Sequence, residues 1–157
     1  MGRRDAEVLA AALRPDVVAR YTAHVHRSPT VDCWIWTGAI SGKGHGRFWV
    51  SAGLVVIAHR FGYALAHPGI ARLPAVVRHA CDTPPCQNPA HWAAGDHATN
   101  RQEWSARRHT PRSPLRDTRG SLGRSLALRE AARERDDLQA AERQGVRPVD
   151  REQSTLW

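Results

Sequence analysis

The sequence lacks the long apolar segments that a membrane protein needs. None of its stretches reaches the roughly 18 to 20 apolar residues that a transmembrane helix requires. The N-terminal segment carries Asp5 and Glu7 inside its Ala/Leu run, so it lacks the basic-then-apolar layout of a signal peptide. We therefore expect a cytoplasmic protein, in a bacterial or phage-infected cell, that has no membrane as its partner.

Cysteine is scarce and lysine is nearly absent. Three cysteines are an odd number, which argues against a disulfide framework and favours metal ligation or buried thiols. Lys43 is the only lysine, so the formal charge of +8 and the pI near 10.8 come almost entirely from arginine. This charge favours polyanionic partners such as DNA or RNA, although arginine richness equally reflects a GC-rich genome.

The pattern along the chain predicts one α+β domain with two extensions. Residues 1–29 contain two short helical patterns, which predicts an N-terminal helical extension. Residues 30–109 hold strand-like segments, a hairpin loop at 51–53 and a helix beginning after Asp96, which predicts the compact domain. Residues 110–124 are rich in arginine, proline, glycine and serine, and a helical pattern follows them. Residues 110–157 are therefore predicted to be a linker and then an exposed helical tail.

A candidate metal site lies in a segment that has few other means of staying ordered. Cys81 and Cys86 are five residues apart, and His91 follows five residues later in a loop rich in proline and asparagine. Thiolate and imidazole are good zinc ligands, and a closed tetrahedral site needs four of them. Because Cys33 is the remaining cysteine, we assign it as the fourth ligand of one structural zinc. The alternative is that the thiols are simply buried.

The segment that contains these ligands resembles a known nuclease family. HACDTPPCQNPAHWAAGDHATN is similar to the core of zinc-containing HNH endonucleases, the His-Me finger or ββα-metal superfamily, and the upstream segments CWIWTGAISGKGHGRF and AHRFGYALAH are similar to further family blocks. The resemblance covers roughly residues 31–105. It implies a small ββα-metal core at about 75–108, preceded by β-hairpin strands and accompanied by the structural zinc site.

The resemblance also implies roles for individual residues. His79 matches the general base that activates water, and Asn100 matches the ligand of one catalytic divalent ion, normally Mg²⁺. Asn88 matches an asparagine that braces the loop. Asp96 and His45 depart from the family pattern, and we expect Asp96 to cap the helix rather than to bind metal.

The implied activity is hydrolysis of double-stranded DNA. A neutral histidine can accept a proton near pH 7, a divalent ion can act as a Lewis acid, and an arginine can stabilise the phosphate. Arg47 and Arg60 are both candidates for this last role. One active site per small domain also leaves room for a homodimer. The alternatives are a non-catalytic zinc-stabilised DNA-binding module and an RNA-binding or ribosome-associated zinc protein.

Two further expectations concern aromatic residues and the tail. Alternating aromatic residues on short strands are expected to pack in the core rather than to stack on bases: Trp34, Trp36, Phe48 and Trp49. The arginines of residues 110–157 are expected to add DNA affinity without serving catalysis, so truncation after about Arg108 should leave catalysis intact.

Overall fold

The computed structural model describes residues 2–152 and has the predicted α+β class. Two helices open the chain, six short strands and two helices follow, and three helices close the described part. In chain order the elements are α1 (Arg3–Ala11), α2 (Pro15–Thr22), β1 (Val25–His26), β2 (Ile35–Trp36), β3 (Arg47–Ser51), β4 (Leu54–Ile57), α3 (Ala58–Ala66), β5 (Val76–His79), β6 (Trp92–Gly95), α4 (His97–Arg107), α5 (Gly120–Glu134), α6 (Leu138–Gln144) and α7 (Pro148–Arg151). No helix among residues 2–152 is both long and apolar enough to cross a membrane.

The strands form three separate antiparallel pairs, namely β1 with β2, β3 with β4, and β5 with β6. The β3–β4 hairpin turns at residues 51–54, where the sequence predicts a loop. Along β3 the side chains alternate, with Phe48 and Val50 buried and Arg47, Trp49 and Ser51 exposed. This alternation follows from the two-residue period of a strand that has one face in the core.

The two N-terminal helices pack into the main core, where the sequence predicts an N-terminal helical extension. Tyr21 of α2 lies in an aromatic cluster with Trp36, Phe48 and Phe61, at ring-centroid distances of 5.1 to 5.6 Å. The remaining core residues come from α1 to α3 and from the β3–β4 hairpin, and include Val8, Ala11, Val17, Val50, Leu54, Ala58 and Ala64. The apolar faces of α1 and α2 pack against this core and are buried by it.

The chain after α4 forms a second core, whereas the sequence analysis predicts a linker and an exposed tail over residues 110–157. One face of α5 and α6 is buried against Cys33, Ile35 and Cys86, through the residues Leu128, Ala132, Leu138 and Ala141. The expectation of an exposed helix is wrong for this face. The predicted helical tail is divided into separate helices. Arg135 ends α5 by adopting a left-handed conformation with φ +56 before α6 begins. Residues 153–157 of the predicted tail lie outside the described residues.

Arginines of this C-terminal unit are paired with buried carboxylates. Asp117 accepts hydrogen bonds from Arg119 at 2.8 and 2.9 Å, and lies 3.5 Å from Arg124. Asp150 accepts two hydrogen bonds from Arg116 in the same way, at 2.8 and 3.0 Å. Part of the basic charge that the sequence analysis assigns to DNA binding is therefore neutralised within the fold.

Candidate functional site

Three cysteines and one histidine meet where β2, the loop at 80–91 and the C-terminal helices come together. The ligand atoms of the four predicted residues, Cys33, Cys81, Cys86 and His91, all lie within 4.8 Å of one another. Nδ1 of His91 is 3.4 Å from Sγ of Cys86 and 3.6 Å from Sγ of Cys33. With Zn–S bonds of about 2.3 Å and Zn–N bonds of about 2.0–2.1 Å, tetrahedral geometry places S and N about 3.6 Å apart. The cluster is therefore compatible with a structural zinc site.

The three thiols lie close enough together to change one another's pKa values. Hydrogen bonds from Cys33 and Cys86 lower the pKa of Cys81 far below its usual range. The same hydrogen bond to Cys81 raises the pKa of Cys33 to about 12, and hydrogen bonding with both other thiols raises the pKa of Cys86. The thiols thus compete with one another for ionisation. A bound divalent ion would relieve this competition, because metal ligation and thiol deprotonation are coupled.

Asn88 braces the loop between the ligands. Its side-chain amide donates to the backbone carbonyl of Asp32 at 2.8 Å, next to Cys33, and its side-chain oxygen accepts from the backbone N–H of Ala90. The Asn88 backbone N–H points at Sγ of Cys86 at 3.4 Å. One residue thus ties the loop to the chain segment that carries the fourth ligand, which is the bracing position expected of Asn88.

The loop at 80–91 carries three of the four candidate ligands, and we call it the metal-binding loop. It also orients His79, the last residue of β5. His79 is paired with Trp92 across the β5–β6 ladder. Nε2 of His79 lies 2.9 Å from the carbonyl oxygen of Cys86, and the indole N–H of Trp92 donates to the same oxygen at 3.2 Å. Because a carbonyl only accepts, Nε2 carries the proton. Nδ1 is therefore the basic nitrogen of the neutral ring.

His79 and Asn100 line the same cleft, which has a volume of about 360 Å³. His79 enters from β5 and Asn100 from the first turn of α4, where it is exposed. The structure therefore brings together the two residues to which the resemblance assigns the chemistry. Further residues of the cleft wall are His45, His59, Arg60, Arg78, Asp82 and His97.

Three imidazoles form one side of this cleft. The ring of His59 is 4.4 Å from that of His79 and 5.5 Å from that of His45, measured between centroids. Burial, together with the charges of His79 and Lys43, lowers the pKa of His45 to about 4. Burial also lowers the pKa values of His59 and His79. The environment of the three rings therefore disfavours their protonated, positively charged forms.

His45 and His59 are two cleft residues for which the sequence predicts no role. A signal for His45 is its position between two glycines in a family-like segment. A Cβ at Gly46 would lie 2.6 Å from the Trp36 ring, and Gly44 has φ +88 with α5 directly against it. His59 donates from Nε2 to the carbonyl of Val77 at 2.9 Å, while its buried Nδ1 has no partner among residues 2–152.

The helix that carries Asn100, α4, is held to the rest of the protein by ion pairs rather than by apolar packing. None of the α4 residues is buried. Arg107 instead forms two hydrogen bonds of 2.8 Å with Asp82 in the metal-binding loop, and Glu103 pairs with Arg78 of β5. At the start of the helix Asp96 accepts from the backbone N–H of Thr99 at 2.8 Å, so the predicted capping role is confirmed.

The two arginines proposed for phosphate binding lie in different places. Arg60 lines the cleft, but its guanidinium already donates to the carbonyl of Pro74 at 3.0 Å and pairs with Asp5 at 3.3 Å. Arg47 is outside the cleft, on the exposed face of β3, where it lies over the ring of Trp49. Of these two candidate arginines, the structure therefore places only Arg60 in the cleft with His79 and Asn100.

Comparison with known proteins links part of the chain to bacteriophage proteins. Protein 7.7 of Escherichia phage T7 is 39% identical over 72 residues, which is 46% of this chain and 54% of that protein. Protein 2.8 of the same phage is 42% identical over 64 residues, 40% of this chain and 42% of that protein. The chain thus spans about half the length of the curated relatives it matches. No protein-family profile and no solved structure matches it.

Proposed function

We propose that this protein is a metal-dependent endonuclease of the HNH type that hydrolyses phosphodiester bonds in double-stranded DNA. The observation that carries the proposal is the position of His79, with Nε2 fixed by a carbonyl of the metal-binding loop, in the cleft that Asn100 also lines. The chain order of β5, metal-binding loop, β6 and α4 supports a ββα-metal core. The net charge of +8 fits a polyanionic substrate.

The proposed reaction needs one base and one entering water. Nδ1 of His79 accepts a proton from water as the water oxygen forms a bond to phosphorus. The bond between phosphorus and the 3′ oxygen breaks, and its electron pair leaves on that oxygen, which takes a proton from solvent. A general base is suited to this step when its neutral form predominates at working pH.

Asn100 would hold the divalent ion, in agreement with the resemblance. Its side-chain oxygen is a hard ligand at the cleft wall, and Mg²⁺ keeps several waters when a protein supplies few ligands. When bound, such an ion supplies Lewis-acid stabilisation of charge on the phosphate oxygens. Asp96 is not assigned as a ligand, because one of its carboxylate oxygens caps α4 and the residue does not line the cleft.

Cleavage of supercoiled plasmid with and without added Mg²⁺ tests the proposal. His79→Ala should retain zinc and DNA binding while cleavage falls by roughly 10²–10⁴-fold, the usual loss for a general base. Asn100→Ala should retain zinc and require more Mg²⁺. His67→Ala is the control, because this imidazole stacks on Tyr63 outside the cleft.

The zinc measurement separates a lost base from a lost fold. A His79→Ala protein that holds zinc and cuts plasmid at the wild-type rate would overturn the proposed mechanism. A wild-type protein that holds zinc and binds DNA but never cuts it would instead be the non-catalytic binding module.

A further inference from the structure

A second basic surface lies away from the cleft and shares no lining residue with it. We call it the arginine–tryptophan groove, a depression of about 370 Å³ whose charged and aromatic lining residues are Arg20, His24, Trp36, Arg47, Phe48, Trp49 and Arg133. Trp49 is 47% exposed, contrary to the expectation that it packs in the core. The strand alternation explains this difference, since Phe48 and Val50 occupy the inward positions of β3.

The charge of this groove is largely uncompensated. Among residues 2–152, Arg20 and Arg47 have no carboxylate within salt-bridge distance, and Arg133 has only Glu130 at 3.4 Å. Arg20 donates to the carbonyls of Trp49 and Val50 at 2.8 and 2.9 Å, which fixes the guanidinium against β3. Each guanidinium has five N–H donors, so most of those on Arg20 remain for a ligand.

The exposed indole ring of Trp49 places a second requirement on the ligand, besides negative charge. The guanidinium carbon of Arg47 lies 5.2 Å from the Trp49 ring centroid, so a cation and a half-exposed π-surface are presented together. A ligand that uses both must carry negative charge next to a flat ring. An unpaired nucleotide in a strand has this chemistry, because its phosphates suit arginine and its base suits a tryptophan face.

We infer that the arginine–tryptophan groove binds a single-stranded DNA segment, with a base stacked on Trp49 and the adjoining phosphates on Arg20, Arg47 and Arg133. The bases of an intact duplex stack on one another and cannot offer a face to Trp49. The groove volume also falls within the range of about 300–1,000 Å³ that is typical of small-ligand pockets, which suits a nucleotide better than a duplex. This binding function is additional to the proposed cleavage and does not depend on it.

Binding of a short labelled oligothymidylate to the full zinc-loaded chain, measured by fluorescence anisotropy without Mg²⁺, tests the inference. The matched ligand is an abasic oligonucleotide of the same length, which keeps the phosphates and lacks the bases. Wild-type protein should prefer the oligothymidylate. Trp49→Ala should weaken its binding by about 5- to 150-fold, the usual range for one stacked base, and should remove the preference over the abasic strand.

Trp104→Ala is the matched control variant. Trp104 is also 47% exposed and also has an arginine over its ring, Arg108 at 4.8 Å, but it lies on α4. This variant should bind like the wild type. Arg47→Ala should reduce the steepness of the salt dependence, with the slope of log K against log salt becoming less negative by about 0.7.

Three results would overturn the inference. The first is equal binding of the oligothymidylate and the abasic strand by the wild-type protein. The second is a loss on Trp104→Ala as large as that on Trp49→Ala, which would move the stacking site to α4. The third is unchanged binding by Trp49→Ala when circular dichroism and zinc content are those of the wild type. None of these measurements involves cleavage, so they stand apart from the nuclease test.

Discussion

Leu128→Ala should destabilise the whole protein and loosen its metal site. Leu128 is 1% exposed on α5 and belongs to the cluster that contains Cys33, Ile35 and Cys86. The substitution removes three carbon atoms, worth about 2.4 kcal/mol at about 0.8 kcal/mol per buried CH₂. The cavity left behind brings the expected loss in free energy of unfolding to about 2.7–5 kcal/mol. Since ordinary domains are stable by about 5–15 kcal/mol, this is a large fraction of the total.

The assay has two readouts. Urea denaturation gives the change in free energy of unfolding, and transfer of zinc to a coloured chelator gives the rate of metal loss. Zinc should be lost faster from Leu128→Ala, because Cys33 and Cys86 form part of the wall that the leucine supports. Leu122→Ala is the control on the same helix. Leu122 is 38% exposed, so its truncation should change stability by no more than about 0.5 kcal/mol.

Equal behaviour of the two leucine variants would refute the reasoning, because it would mean that α5 does not pack on the metal site. The same packing reverses one expectation from the sequence. Truncation after Arg108 removes α5 and α6, and with them the residues that cover Cys33 and Cys86. The truncated protein should therefore lose both its zinc and its folded structure. The sequence alone predicts instead that it retains catalysis and loses only DNA affinity.

Two further predictions concern the zinc and the acid sensitivity of the C-terminal unit. Elemental analysis should find one zinc per chain, and Cys81→Ser should lower both zinc content and melting temperature; full zinc occupancy in that variant would contradict the assignment. Burial raises the pKa of Asp117, but hydrogen bonds from Arg119 and the charges of Arg119 and Arg124 outweigh it, so the net pKa is lowered. Its stabilising contribution is complete above the unfolded value of about 3.9 and is lost as pH falls through the lowered pKa. Asp117→Asn should therefore be less stable than wild type at pH 7, with the gap in urea midpoint narrowing below about pH 4; a constant gap would exclude this linkage.

The metal cluster was predictable because ligand chemistry is specific to a few residue types. Only cysteine and histidine suit a closed zinc site of this kind, and the chain has three cysteines, so spacing and elimination sufficed to select Cys33. The Asp96 cap and the β3–β4 turn were predictable for a similar reason, since each depends on a local backbone requirement. The roles of His79 and Asn100 stay predictions until cleavage is measured.

The C-terminal core was not predictable by the same means. Its buried positions are few and partly small, such as Ala132 and Ala141, within helices that carry charged, small and further apolar residues at their other positions. The surface that they cover, formed by Cys33, Ile35 and Cys86, lies about 40 to 110 residues earlier in the chain, so no local pattern indicates it. Arg124 adds to the difficulty, because a buried arginine is compatible with the fold only through Asp117 and Glu142.

The attachment of α4 by ion pairs sets how this helix moves. Its neighbours β5 and β6 are held by a backbone ladder, whereas α4 is held through Arg107, Asp82, Glu103 and Arg78. Elements with few apolar contacts open at low free energy without global unfolding, and half-exposed ion pairs weaken as salt screens them. Amide hydrogens of α4 will therefore exchange with solvent through local opening of this helix. Those of the β5–β6 ladder will exchange more slowly, because they require a larger unfolding transition. Because Asn100 moves with α4, the side of the cleft that Asn100 lines is adjustable, whereas the side that His79 lines is fixed.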